Sequence, residues 1–294
     1  MSNHADGWSD LDVDVDADGS QDGGADGTHR GHHRRNVVLG CLAIVVVAFG
    51  GWFAVRWSSG GARQADVDSA RSRLGGATTV PSVRGELRPA QGLYRYRGSG
   101  TDQLVTPPKE QAEGPEMPAT VRQQSNGCWT FRIDYSTNHW QSWDYCPRAG
   151  GLDEMGGQTY QRWDFVVFVN ESTSTFACDS SVTIGATQSP GDHWQQSCAS
   201  TGTPAATSAG PYTFVGTEQL DIGGQTVMAL HYHRERTMTG DQTGTEAAEV
   251  WFSADNGLPL RNRRRIEVDT ATAIGSVHYV EDANFELESL VPGT

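Results

Sequence analysis

The chain has 294 residues and a net charge of −14, from 22 basic and 36 acidic side chains. An acid excess of that size excludes nucleic acid as a natural partner, because binding a phosphate backbone needs a basic surface. Residues 56–294 taken alone still carry 19 basic and 28 acidic side chains, so the exclusion applies to them as well.

Residues 1–35 begin with 28 positions that hold eight Asp and neither Lys nor Arg. Such a stretch repels itself and has little to bury, so it predicts a disordered acidic tail. Next come the 19 uncharged residues Val37 to Val55, with Trp52 and Trp57 at one end. That length crosses ~30 Å of hydrocarbon as a helix, and the indole rings suit the interface. The spacing predicts one transmembrane helix over residues 36–56. A secretion signal would open on basic residues and carry a shorter apolar core, unlike this acidic start. Val38-Leu39-Gly40-Cys41 looks like a lipoprotein cleavage box, but here the apolar run follows the cysteine, so Cys41 reads as a small apolar residue within the span. Arg30, Arg34 and Arg35 before the span, against Arg56 and Arg63 after it, favour a cytoplasmic N-terminus. The other cysteines, Cys128, Cys146, Cys178 and Cys198, all follow the span in an even set, as expected of disulfides in an oxidising compartment. The expectation is a single-pass cell-membrane protein, anchored by its own helix, with its C-terminal domain extracytoplasmic.

Residues 57–90 read as a short helix and a linker: Val67, Ala70 and Leu74 fall at helical spacing, and Gly75-Gly76 supplies the stop. Residues 91–294 show alternating runs separated by Gly, Asn, Asp and Pro turns. They predict one mostly β ectodomain, a curved antiparallel meander sheet or half-barrel. In "CWTFRIDYSTNHWQSWDYC", Cys128 and Cys146 are equidistant from Thr137, so a symmetric hairpin pairs them. The same register sets Trp129 against Tyr145, Phe131 against Trp143 and Ile133 against Gln141 on one face. Thr130, Arg132, Asp134 and the disulfide lie on the other. Cys178 and Cys198 are likewise symmetric about Gln188, beside the turn residues Ser189-Pro190-Gly191.

"EVWFSADNGLPLRNRRRIEV", Glu249 to Val268, forms a hairpin on paper: Gly257 suits a left-handed turn and Pro259 sits at a strand start. These residues resemble the W-x-x-x-x-x-G-L-P-L-R hairpin of the LolA-like superfamily of lipoprotein carriers and their RseB-like relatives. That resemblance implies a curved sheet wrapped around a hydrophobic face that binds rather than reacts. The wider pattern of a span, "GLYRYRGSG", two cysteine hairpins and the strand "IGSVHYVEDANFELESL" is similar to a family of actinobacterial membrane-anchored proteins. Neither resemblance carries a catalytic residue to this chain.

The candidate ligand-binding residues are Trp129, Phe131, Trp143, Tyr145, Trp251, Arg261 and Arg263, for a lipid-like ligand or an envelope protein partner. Arg261, Arg263 and Arg265 alternate on one strand face, which suits an anionic group, although Glu249 is expected near Arg263. His231 and His233 also share a strand face, but two ligands do not make a site, and no metal or cofactor is expected. The chain has no nucleophile elbow, zinc-protease motif, P-loop or dinucleotide fingerprint, so it is not expected to be an enzyme. The alternatives are a structural envelope protein with a filled core and a hydrolase lacking a local motif.

Overall fold

The computed structural model describes residues 62–75, 80–82, 85–165, 168–202, 204–272 and 275–293. The acidic tail and the span expected over 36–56 lie outside them. Among the described residues no helix is long and apolar enough to cross a membrane.

Among the described residues one helix, α1 (Val67–Leu74), precedes thirteen strands. These are β1 (Gly92–Leu104), β2 (Lys109–Glu113), β3 (Glu116–Gln123), β4 (Trp129–Asp134), β5 (His139–Arg148), β6 (Gly151–Asp164) and β7 (Val169–Ile184). They continue as β8 (His193–Ser200), β9 (Ala206–Ile222), β10 (Gln225–Gly240), β11 (Gln242–Ser253), β12 (Pro259–Thr272) and β13 (Gly275–Leu287).

From β3 to β13 each strand pairs antiparallel with the next, which is the meander that the alternating runs predict. β1 pairs with β3 through Gly92–Arg97 and with β2 through Gly100–Leu104. β2 and β3 therefore occupy one place in the sheet, as a single strand interrupted at Gly114-Pro115. The opposite edge of β1 pairs with β13, from Tyr96↔Leu287 to Leu104↔Tyr279.

That last pairing corrects the half-barrel alternative, since the two strands it would leave as open edges satisfy each other's backbone groups and close the sheet into a ring. Gly98 permits the closure: a Cβ there would fall 2.0 Å from the Asn284 carbonyl oxygen.

Both cysteine pairs form disulfides, Cys128–Cys146 and Cys178–Cys198. The second has a distinct mechanical role, because β7 and β8 share only four aligned pairs and the disulfide joins one of them. It clips the shortest ladder in the ring.

α1 forms for local reasons. Asp66 caps its start by accepting from the backbone N–H groups of Asp68 at 3.0 Å and Ser69 at 3.2 Å. Gly75 ends it in the left-handed conformation at φ +64°, donating to the Ser72 carbonyl. Ala70 is fully buried, and the backbones of Arg63 and Thr137 are tied by a 2.9 Å hydrogen bond. The segment before β1 is thus strapped to the turn between β4 and β5.

Candidate functional site

Strand alternation sends Trp129, Phe131, Trp143 and Tyr145 inward, in the register expected about Thr137: Trp129↔Tyr145, Phe131↔Trp143 and Ile133↔Gln141. All four aromatic residues are buried. Trp129 and Tyr145 meet at 4.7 Å between ring centroids, and Tyr96 meets Phe131 at 5.6 Å from across the interior. The cavity left against Phe131, Trp143 and Tyr145 measures about 20 Å³. That is room for about one water molecule. The aromatic face is the packed core of the ring, and an acyl chain would have to displace side chains to enter it.

Trp251, Arg261 and Arg263 lie on the other side of the same sheet. Trp251 alternates along β11 with Val250 and Phe252, which face the core, so its ring lies on the other face, where it is nevertheless buried. There it stacks on His231 at 4.2 Å and donates its indole N–H to Glu218. Arg261 and Arg263 approach its ring at 5.4 and 5.9 Å. Arg261 is bound by Glu286 at 2.9 Å. The seven candidate residues therefore form two groups on opposite faces.

Glu249 is register partner to Arg263, as expected, but its carboxylate bonds His231 at 2.6 Å and His233 at 2.7 Å. Burial depresses the His233 pKa, but its bonds to Glu249 and Glu235 outweigh that and raise it above the usual histidine value. Among the described residues no cluster of potential metal ligands includes either histidine.

The outer face of β3 to β6, beneath α1, holds a feature that the sequence did not single out. A cleft of about 240 Å³ is lined by Arg73 and Leu74 of α1 and by Arg122, Arg132, Trp140, Ser142 and Gln158 of the sheet, with Thr120 and Thr130. Arg132 lies 3.7 Å over the Trp140 ring, and Trp140 stacks in turn on Tyr160 at 5.7 Å. Asp134 accepts from both Arg132, at 2.9 Å, and Arg73. Burial, opposed by Asp134, pulls the Arg132 pKa below the usual arginine value. Arg122 donates to the Arg73 carbonyl and has no carboxylate partner among the described residues. Three guanidiniums thus face this cleft and one carboxylate serves two of them. Arg122 and Arg132 are each the single basic residue of a strand and alternate with inward-facing neighbours, but Arg73 joins them only because α1 packs where it does.

A second unexpected cluster lies inside the ring. Asp102 of β1, Glu113 of β2, His139 of β5 and Glu281 of β13 are all buried, and each offers a ligand atom within 4.8 Å of the others. His139 Nδ1 lies 2.6 Å from Glu113 and 3.1 Å from Asp102. Tyr279 donates to Asp102 at 2.8 Å and lies 3.0 Å from Glu281, which also accepts from Arg264 Nε at 2.7 Å. Burial raises the Asp102 pKa, but the His139 charge and hydrogen bonds outweigh it and hold the carboxyl below its usual value. Burial and the neighbouring Asp102 push Glu113 up to about 7. The signal in the sequence is Glu281, which shares strand parity with Tyr279, Ala283 and Phe285 and so had to be a carboxylate on the apolar face. A separate ionic layer joins Arg236 to Gln196 at 2.7 Å and to Glu154 at 3.4 Å, with Arg234 on Glu246.

No family model matches the sequence, and no curated protein is significantly similar to it. Two of the solved structures that align with the chain are lipoproteins by their descriptions. The hypothetical lipoprotein YmcC from Escherichia coli K12 is 11% identical, with 66% of this chain and 88% of that one covered and a TM-score of 0.29. A candidate lipoprotein from Parabacteroides distasonis is 10% identical, with 69% and 97% covered and a TM-score of 0.31. Likenesses at that level carry no argument about function, which rests on the chain's own geometry.

Proposed function

We propose that this chain is a binding module without catalytic activity, anchored in the membrane by the helix expected over 36–56 and facing the extracytoplasmic side. Its ligand site is the cleft beneath α1, and its ligand is a small anionic group of the kind carried by a phosphorylated lipid. The observation that carries this reading is Arg122, a guanidinium without a carboxylate partner among the described residues, beside the Arg132–Trp140 stack in a cleft of about 240 Å³.

Size and chemistry both bear on the choice. Pockets for drug-sized ligands run from ~300 Å³ upward, so this cleft suits a headgroup better than a whole lipid. Arginine forks match phosphate oxygens in pairs, and the indole surface beside them accepts an apolar body. α1 starts eleven residues after the expected end of the span, at Val67 against Arg56, within ~40 Å of extended chain from the bilayer. The LolA-like resemblance keeps its implication of binding, but the packed interior moves the ligand from the inner aromatic face to the outer cationic one. That packed interior also supports the structural alternative, a scaffold with a filled core, and the cleft is what separates the two.

The test uses the full chain in nanodiscs of neutral lipid, titrated with inorganic phosphate, glycerol phosphate and short-chain phosphatidylglycerol. A charge-assisted hydrogen bond contributes about 1.5–3 kcal/mol, so Arg122→Ala should weaken binding about tenfold or more with an unchanged melting temperature. Absence of binding, or equal binding by Arg122→Ala and Arg132→Ala, would favour the scaffold.

A further inference from the structure

The geometry points to the interior cluster of Asp102, Glu113, His139 and Glu281 as a binding site for one divalent first-row transition-metal ion. Three observations carry this, none of which involves the cleft.

The donor set is assembled and oriented. Four ligand atoms from four strands lie within 4.8 Å of one another. The His139 contact of 3.1 Å to Asp102 falls within the edge of about 3.0–3.4 Å between donors that share an ion at ~2.1 Å, and the 2.6 Å His139–Glu113 hydrogen bond would open by a few tenths of an ångström around one. Tyr279 bridges Asp102 and Glu281, Gln111 donates to Asp102 at 3.3 Å, and Arg264 holds Glu281. Hydrogen bonds of this kind orient carboxylates around metals.

Polar atoms aimed at this centre are without partners. The Tyr135 hydroxyl has no hydrogen-bond partner among the described residues, although its side chain is 1% exposed. It lies close enough to Glu281, Glu113 and Asp102 to feel the charge of each, and its ring packs on His139 at 4.8 Å. The second carboxylate oxygen of Glu113 is also unpartnered. It sits over Gly100, where a Cβ would come within 2.5 Å of it. The bare glycine makes room for that carboxylate.

The charge balance also admits an ion. Three buried carboxylates face the Arg264 guanidinium and the His139 ring, which pairs with two of them. Buried charge is strongly unfavourable unless compensated, and with His139 neutral as a ligand one divalent cation takes over the compensation that a protonated His139 gives without it. Three oxygen donors with one imidazole suit Mn²⁺, Fe²⁺ or Zn²⁺. The described cysteines are all in disulfides, so no thiolate is offered to a softer ion. The ligands come from β1, β2, β5 and β13, so the ion would fasten the seam at which the ring closes.

The experiment is elemental analysis of the full chain purified in detergent without chelator, followed by unfolding in guanidinium with chelator and refolding, disulfides intact, with Zn²⁺, Mn²⁺ or Co²⁺. The expected result is about one ion per chain, regained on refolding, with visible Co²⁺ absorption and a melting temperature several degrees above the metal-free form. Glu113→Gln, close in volume, should bind at least tenfold less. A wild-type chain that carries no stoichiometric ion and takes none up on refolding would overturn the inference. So would undiminished uptake by a folded Glu113→Gln. If that variant does not fold, the wild-type reloading decides.

Discussion

The β4–β5 hairpin presents two faces of unequal aromatic content and opposite fate. Inside, Trp129, Phe131, Trp143 and Tyr145 interdigitate with side chains from across the ring until about 20 Å³ is left. Outside, Thr130, Arg132, Trp140 and Ser142 stand under one short helix beside about 240 Å³. The difference comes from what lies opposite. The inner face meets the rest of the curved sheet, whereas among the described residues the outer face at the cleft meets Arg73 and Leu74 at the C-terminal turn of α1. Aromatic content therefore marks where a sheet is stabilised, and an unbalanced charge beside one aromatic ring marks where it is available to bind.

The comparison breaks first if the inner face is dispensable. Phe131→Ala removes a ring from a packed site and should cost about 3–5 kcal/mol in chemical denaturation, while phosphate binding by the folded fraction stays unchanged. A loss below ~1 kcal/mol would mean that the interior is looser than its packing. Next in size is the clip on β7 and β8. Replacing Cys178 and Cys198 together with Ser should cost roughly 3 kcal/mol, read as a lowered denaturation midpoint with the Cys128–Cys146 link retained.

Asp66→Ala sharpens the outer side of the comparison. Loss of the cap should cost about 1 kcal/mol, confined to α1, seen as faster hydrogen exchange there and weaker phosphate binding because Arg73 loses its platform. The smallest effect concerns His233, whose folded pKa is raised above its usual 6.5 by Glu249 and Glu235. Its stabilising contribution is full below pH ~6.5 and disappears as pH rises through the folded value. His233→Gln should flatten the pH dependence of melting in that window and leave the rest of the profile in place.

Much of the local structure was legible in the sequence because it is set by local periodicity. Thr137 fixes the β4–β5 register by symmetry, Val67, Ala70 and Leu74 give α1, and Gly257 takes φ +74° at the turn before β12. Ring closure was not legible, since nothing in β1 names β13 as its partner, and residues such as Tyr279 and Asp102 that meet there are 177 positions apart. Of the acid centre, Glu281 stands out on its own strand by its parity with Tyr279 and Phe285, and its three partners join it when the seam forms. Trp251 was grouped with the β4–β5 aromatics on a resemblance, whereas strand parity sets it on the face opposite Ala248, Val250 and Phe252.

The pairing of β1 with β13 also has a consequence in time. A chain that emerges N-terminus first presents β1 first, and that strand's free edge stays unpaired until β13, the last strand described, has followed it. Throughout that interval β1 is a template for any passing strand. A truncation that removes β13 would make this state permanent, leaving β12 and β1 as two exposed edges on every molecule, so loss of the last strand should turn a closed ring into one that assembles edge to edge.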